Sequence, residues 1–162
     1  VALEQVQRHF SDPAAAIPAV IAADEAHFLR AVQIRARKVP APQRLRALIE
    51  ACVSEYDWTL WIELWSHALR EPWAVELRQA LDDDLRAALA DLIREGQAAG
   101  DFAPTDPDRA AIIVSCLLDG FATQATLGDS RVSARFMHRA CLWTVERLLG
   151  PSSGMEVQTE NA

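Results

Sequence analysis

The chain has 162 residues, 51% hydrophobic and 24% charged, with a net charge of −7. That length suits one domain, which can bury roughly 70% of its unfolded surface. The charge is uneven: residues 1–48 carry seven Arg and Lys against four Asp and Glu, the rest nine against nineteen, so the acidic body disfavours nucleic acid and any DNA contact belongs to the N-terminal end.

VALEQVQRHF (Val1 to Phe10) has helical character without a start signal. Its first residue is Val rather than Met, and the natural chain is expected to begin upstream. Ser11-Asp12-Pro13 makes a fresh start, a cap followed by Pro, and predicts a helix to about Arg37. Ile17, Ile21, Phe28, Ala31 and Val32 recur there at helical spacing, and Pro18 stands where Pro can kink a helix. A break over Lys38 to Pro42 follows. Pro42 opens a third helix to about Glu55, with Leu45, Leu48, Ile49, Cys52 and Val53 on one face. A fourth, Asp57 to Arg70, carries Trp58, Trp61 and Trp65 at i, i+3 and i+7. Pro72 opens the next, which runs to about Ala99 with Leu77, Leu81, Leu85, Leu89, Leu92 and Ile93 inside. Asp82, Asp83 and Asp84 read as a solvated acidic step and not a metal site, because successive helical positions diverge by about 100°. Gly100 is a helix stop.

The chain is organised around the stretch from Asp106 to Leu127. From Ala110 to Leu118 only Ser115 interrupts the apolar residues, and an apolar run on all sides of a helix means burial on all sides. Asp106 suits a cap, Pro107 the first helical position, and Asp108 the positive end. The run is too short for a bilayer, which needs roughly 20 apolar residues. The helix therefore packs its own core on one side and something else on the other. Gly120 in its middle costs about 1 kcal/mol against Ala, which points to close approach of another backbone, and a buried Asp119 needs a partner. A last helix is expected from Ser130 to Leu149, closed by Gly150-Pro151. The polar tail PSSGMEVQTENA is expected to be disordered. With no strand pattern and no internal repeat, the fold class is all-α, an antiparallel bundle of about six helices.

Catalytic patterns are absent. His9, His27, His67 and His138 are scattered, and there is no HExxH, GxSxG, P-loop or GxGxxG. His138 and Cys141 are three apart on one helix, but a core thiol beside a surface His is the plainer reading. Cys52, Cys116 and Cys141 form no CxxC pair and read as buried free thiols of a reducing compartment. No signal peptide or membrane span is visible in the sequence, so a cytoplasmic protein without cofactor or metal is expected, and not an enzyme. The Trp58, Trp61, Trp65 stripe has two readings. One is plain core packing. The other is a pocket wall, with Trp61 and Trp65 facing an apolar cavity closed by Cys116, Phe121 and Gln124. Such a cavity suits a drug-sized, mostly apolar or aromatic ligand. A cationic ligand is compatible as well, since Trp faces attract cations, although Glu63 is two residues from both Trp61 and Trp65 and points elsewhere.

Arg8-His9-Phe10 followed by a capped, Ala-rich helix resembles the end of the recognition helix of a TetR-type repressor. The succession WIELWSHALREP, REGQAAGDF and DPDRAA…LLDGFATQATL is similar to the regulatory domain of that family, in its betaine-regulator branch above all at Asp119-Gly120 and the Gly96…Gly100-Asp101-Phe102 turn. The resemblance covers about residues 5 to 149. Gln7 stands where the family usually has Tyr, and Pro13 where a phosphate-contacting Lys is common. The resemblance implies a one-component sensor. Residues 1–10 would be the remnant of a recognition helix, with Gln7, Arg8 and His9 on the DNA side and the rest of the helix-turn-helix missing. Residues 11–150 would be the ligand-binding and dimerisation domain, and 151–162 a tail. The last two helices would form a four-helix bundle with a second copy, through Leu117, Gly120, Phe136, Met137 and Trp143. The implied partners are a small-molecule effector, operator DNA through the missing region, and a second copy of the chain, with no membrane. Binding of the effector would shift operator affinity. The stretch by itself is expected not to bind duplex DNA tightly, because a recognition helix needs its supporting helices. A helical binding or dimerisation module that never contacts DNA is the alternative.

Overall fold

The computed structural model describes residues 13–36 and 38–150. It contains α1 (Pro13–Ala36), α2 (Ala41–Ser54), α3 (Trp58–Ala68), α4 (Pro72–Ala98), α5 (Pro107–Thr126) and α6 (Ala134–Leu149), and no strand among the described residues. The all-α expectation holds, and so do most helix boundaries. The expectations for residues 1–12, including Gln7, Arg8 and His9, and for the tail 151–162 lie outside the described residues.

Local chemistry sets the starts. The Asp57 carboxylate accepts from the Thr59 N–H, and Asp106 from the N–H groups of Asp108 and Arg109. Each satisfies donors that the first turn leaves without a partner. The last helix starts at Ala134, four residues later than the sequence suggests. The Ser133 hydroxyl accepts from the Phe136 N–H and makes the cap, while the Asp129 carboxylate takes the Arg131 N–H into a turn. Pro18 lies inside α1, yet the helix runs through it unbroken.

The helix α4 packs against α1, α2, α3 and α5, and α5 in turn packs against α6, α3 and α2. Leu45, Ile49, Leu64, Leu89, Ile93, Val114, Leu118 and Leu149 are fully buried in the shared core. Burial of each such side chain is worth about 1.5–3 kcal/mol. At the C-terminal end of α4 the ring of Phe102 lies where a Cβ on Gly96 would stand, 2.3 Å from the ring edge. The chain folds back there, and the Ala103 N–H donates to the Leu149 carbonyl at 2.9 Å. Gly96 is therefore a packing requirement that closes the loop between α4 and α5 against the end of α6. No helix among the described residues is long and apolar enough to cross a membrane.

Two expectations about polar residues need correction. Asp82 is not part of a solvated step: it is buried between Arg78 and Arg86, while Asp83 and Asp84 stay exposed. All three Cys are free, but only Cys52 and Cys141 are buried, and Cys116 is exposed.

Candidate functional site

Five aromatic side chains, from α1, the turn before α3 and α3 itself, form one group. Trp61 and Trp65 are one turn apart on α3, with ring centroids 6.2 Å apart. Tyr56, in the turn before α3, lies 4.9 Å from Trp58 and stacks on Trp61 at 5.7 Å with an interplanar angle of 20°. Phe28 of α1 meets Tyr56 edge-on at 4.5 Å. These separations are those of mutually attractive rings. Trp58 is fixed in place, because its indole N–H donates to the Cys52 carbonyl oxygen at 2.8 Å.

A carboxylate sits against this wall. Glu25 of α1 is buried, at 3% exposure, and the Tyr56 hydroxyl donates to its Oε2. Burial and the Glu25 charge together push the Tyr56 phenol far above its usual range, so Tyr56 keeps its proton and serves as a donor. Glu63, considered from the sequence as an acidic neighbour of the stripe, is exposed.

A second polar group lies on the inner side of α5. Asp82 of α4 pairs with Arg78 and with Arg86, and Arg86 also donates to the Ser115 hydroxyl at 3.3 Å. Burial raises the Asp82 carboxyl while the two guanidinium groups pull it down. Asp119, one turn beyond Ser115, is half-buried, and among the described residues its carboxylate has neither a hydrogen bond nor an ion pair. Burial, helped by the charge of Asp82, pushes its carboxyl up to about 7, against the pull of Arg86 and Arg78. The buried thiol of Cys52 feels the charges of both Glu25 and Asp119, and burial with those charges raises it well above a reactive range.

The structure brings Trp58, Trp61 and Trp65 together and separates them from the residues expected to close their pocket. Cys116 and Gln124 are exposed. Each is two residues from an inward-facing position, Leu118 or Ala122, and therefore about 200° away around the helix. Phe121 is half-buried and meets Phe136 of α6 edge-on at 5.6 Å. Sequence reasoning missed Glu25 and Tyr56, and took Phe28 only as core. Tyr56 is the chain's one tyrosine, directly before the Trp stripe, and that adjacency was the available signal.

The outward sides of α5 and α6 form a second feature. Ile112, Ile113, Phe136 (47% exposed) and Trp143 (59%) are exposed apolar side chains on the two helices. Gly120 is exposed on the same helix as the two isoleucines, and a Cβ there would meet nothing within 4 Å, so among the described residues no other part of the chain crosses close to it. Leu117 is half-buried. Met137, placed with the dimer residues from the sequence, is 2% exposed. It points into the chain's own core, one position round the helix from Phe136. His138 and Cys141 do not pair: Cys141 is buried with its thiol pushed up to about 12, and the His138 Nε2 faces Glu50 at 4.0 Å. No group of His, Cys, Asp and Glu suited to a metal ion occurs among the described residues.

Comparison with solved structures gives three with the same fold. A candidate transcriptional regulator from Saccharomonospora viridis, solved in complex with choline, superposes with a TM-score of 0.80 at 21% identity, covering 92% of this chain and 81% of that one. A candidate transcriptional regulator from Pseudomonas aeruginosa PAO1 gives 0.72 at 21% identity, over 91% of this chain and 74% of that one. A candidate TetR-family regulator from Rhodococcus sp. gives 0.74 at 18% identity, over 91% and 81%. No curated protein matches the chain. The family profile described as "BetI-type transcriptional repressor, C-terminal" matches residues 41–150, which span α2 to α6 and hold Tyr56, the tryptophans and Asp119. The chain belongs to the BetI-type branch of the TetR transcriptional regulators, through its C-terminal regulatory domain.

Proposed function

We propose that this domain senses a small organic cation at the aromatic wall of Phe28, Tyr56, Trp58, Trp61 and Trp65, and thereby controls operator binding by a helix-turn-helix on the same polypeptide. The observation that carries the reading is the buried Glu25 carboxylate held by Tyr56 inside that group of rings. A quaternary ammonium group is attracted by ring faces, at about 2 kcal/mol or more per desolvated ring, and it offers no hydrogen-bond donor. An anion beside those faces favours a cation over the apolar ligand that the tryptophans alone would suit. The choline complex of the Saccharomonospora viridis protein, which shares this fold, supports the same ligand chemistry.

The regulator acts as a homodimer in this reading, with the exposed apolar sides of α5 and α6 buried against a second copy. The α3 helix of the effector site packs against α5 of the dimer face, so a ligand that favours one position of α3 favours one arrangement of the two copies.

The experiment is a titration of tryptophan fluorescence and heat with choline and with its neutral isostere, in which carbon replaces the trimethylammonium nitrogen. Saturable quenching by choline at least tenfold tighter than by the isostere is expected. Equal affinities, or no binding of choline, would remove the cationic reading.

A further inference from the structure

The first half of α2 and the last two turns of α6 do not close on each other. Between them, with the turn after α4 as a third side, lies a cavity of about 330 Å³ that opens to solvent. Its apolar lining is Leu45, Ile49, Phe102, Leu142, Val145 and Leu149. The walls are fixed from behind. Leu45, Ile49 and Leu149 are anchored in the core. The Phe102 ring is seated on Gly96, and the Ala103 N–H holds the Leu149 carbonyl. The volume falls in the range of ligand pockets, about 300–1,000 Å³. It is more than twice the roughly 150 Å³ of an apolar cavity that takes benzene. None of the lining residues belongs to the aromatic wall. The cavity uses the N-terminal part of α2, whereas the wall meets the C-terminal end, where the Cys52 carbonyl accepts from the Trp58 indole.

Polar side chains stand only at the mouth. They are Gln43, Arg46, Asp101 and Glu146, all exposed. Arg46 of α2 and Glu146 of α6 pair at 3.3 Å. Asp101, in the turn after α4, has no ion pair among the described residues. The mouth therefore carries one uncompensated negative charge, in a chain whose net charge is −7. We propose that this cavity is a second ligand site and takes a small hydrophobic amine, with its ring or alkyl body inside and its ammonium group at the mouth beside Asp101. The body must be apolar, because the inner side chains offer no hydrogen-bond partner and an unpaired polar group there is costly. A carboxylate on the same body would meet Asp101 and Glu146, and would have to take Arg46 from Glu146. The site works without the aromatic wall and does not depend on what binds there.

NMR titration of the chain with 2-phenylethylammonium, and with 3-phenylpropanoate as its counterpart of opposite charge, tests this at low salt. The methyl signals of Leu45, Leu142, Val145 and Leu149 report on the cavity, and the indole N–H signals of Trp58, Trp61 and Trp65 on the wall. The amine is expected to shift the methyl signals saturably, whether or not the indole signals move. It is expected to bind the cavity about tenfold more tightly than the carboxylate, since attraction of one and repulsion of the other add, each worth a few-fold at an exposed mouth. Asp101→Asn, a change at an exposed position, should bring that ratio below about threefold. Leu142→Trp fills the cavity and should abolish the shifts of Val145 and Leu149. Shifts confined to the indole signals, or no saturable shift, overturn the site. A carboxylate that binds as tightly as the amine, or a ratio that Asp101→Asn leaves unchanged, overturns the amine assignment. The wild-type titrations decide even if Leu142→Trp fails to fold.

Discussion

The hydroxyl of Tyr56, in the turn before α3, donates to the buried carboxylate of Glu25 on α1. The contact spans 31 residues of sequence and joins the helix that precedes the family-matched region to the aromatic wall within it. A hydrogen bond to a charged group contributes about 1.5–3 kcal/mol. Tyr56→Phe keeps the ring stack on Trp61 and loses only this bond. A loss of about 1.5–3 kcal/mol in urea unfolding, with weaker choline binding, is expected. Unchanged stability and affinity would mean that Glu25 and Tyr56 do not act as a unit.

How much of this was legible from the sequence depends on how local the signal is. Caps and helix-opening prolines are local, and Asp57, Asp106, Pro72 and Pro107 marked their helices correctly. The Trp stripe was legible because its spacing is an intrahelical property. Its neighbours Glu25 and Phe28 come from a different helix, and no periodicity reports which helix will lie alongside. The closing residues were misplaced for a specific reason. Residues 110–118 are apolar on every side, so hydrophobic pattern cannot tell the core face from an outward apolar face, and Cys116 was taken for the wrong one. Met137 was grouped with Phe136 on the outward face for the same reason: both are large and apolar, and only the 100° step between them turns Met137 into the core. Asp82 misled because its sequence neighbours Asp83 and Asp84 are solvated, and only Arg78 and Arg86, each four residues away, reveal the inward position.

The tryptophans divide by location. Trp61 and Trp65 belong to the wall, whereas Trp143 is exposed on α6 with the Arg147 guanidinium 5.2 Å from its ring centroid. Loss of one cation-facing ring corresponds to about 2 kcal/mol, or roughly thirtyfold in affinity. Trp61→Ala or Trp65→Ala is therefore expected to weaken choline binding by at least tenfold, and Trp143→Ala by less than twofold. Fluorescence titration reads the difference, and the opposite ranking would move the ligand site away from α3.

The outward side of α5 calls for a separate test. Gly120 has open space above it in the single chain, so a larger residue there has nothing to collide with unless a second copy packs close. Gly120→Leu is expected to leave the helix content unchanged and to force the crossing apart by overpacking, at about 1–3 kcal/mol per site. Sedimentation velocity should then show a shift from dimer toward monomer. A dimer of undiminished affinity would place the contact on another surface, with Ile112 and Trp143 as the next positions to change.

Asp119 also makes a prediction for stability that is independent of any ligand. Its carboxyl is raised from 3.8 in the unfolded chain to about 7 in the fold, chiefly by burial. A raised carboxyl binds its proton more tightly when folded, so its favourable contribution is complete below about pH 4 and is lost as pH rises through 7. Asp119→Asn removes that dependence. Near pH 8 the variant is expected to be the more stable of the two, by an amount on the order of a few kcal/mol. The advantage should shrink steadily toward pH 4. Urea unfolding at pH 4, 5.5 and 8, at one fixed protein concentration so that dimer dissociation does not enter the comparison, supplies both curves. If the difference between variant and wild type is the same at all three pH values, Asp119 titrates alike in the folded and unfolded chains, and its carboxyl is open to water.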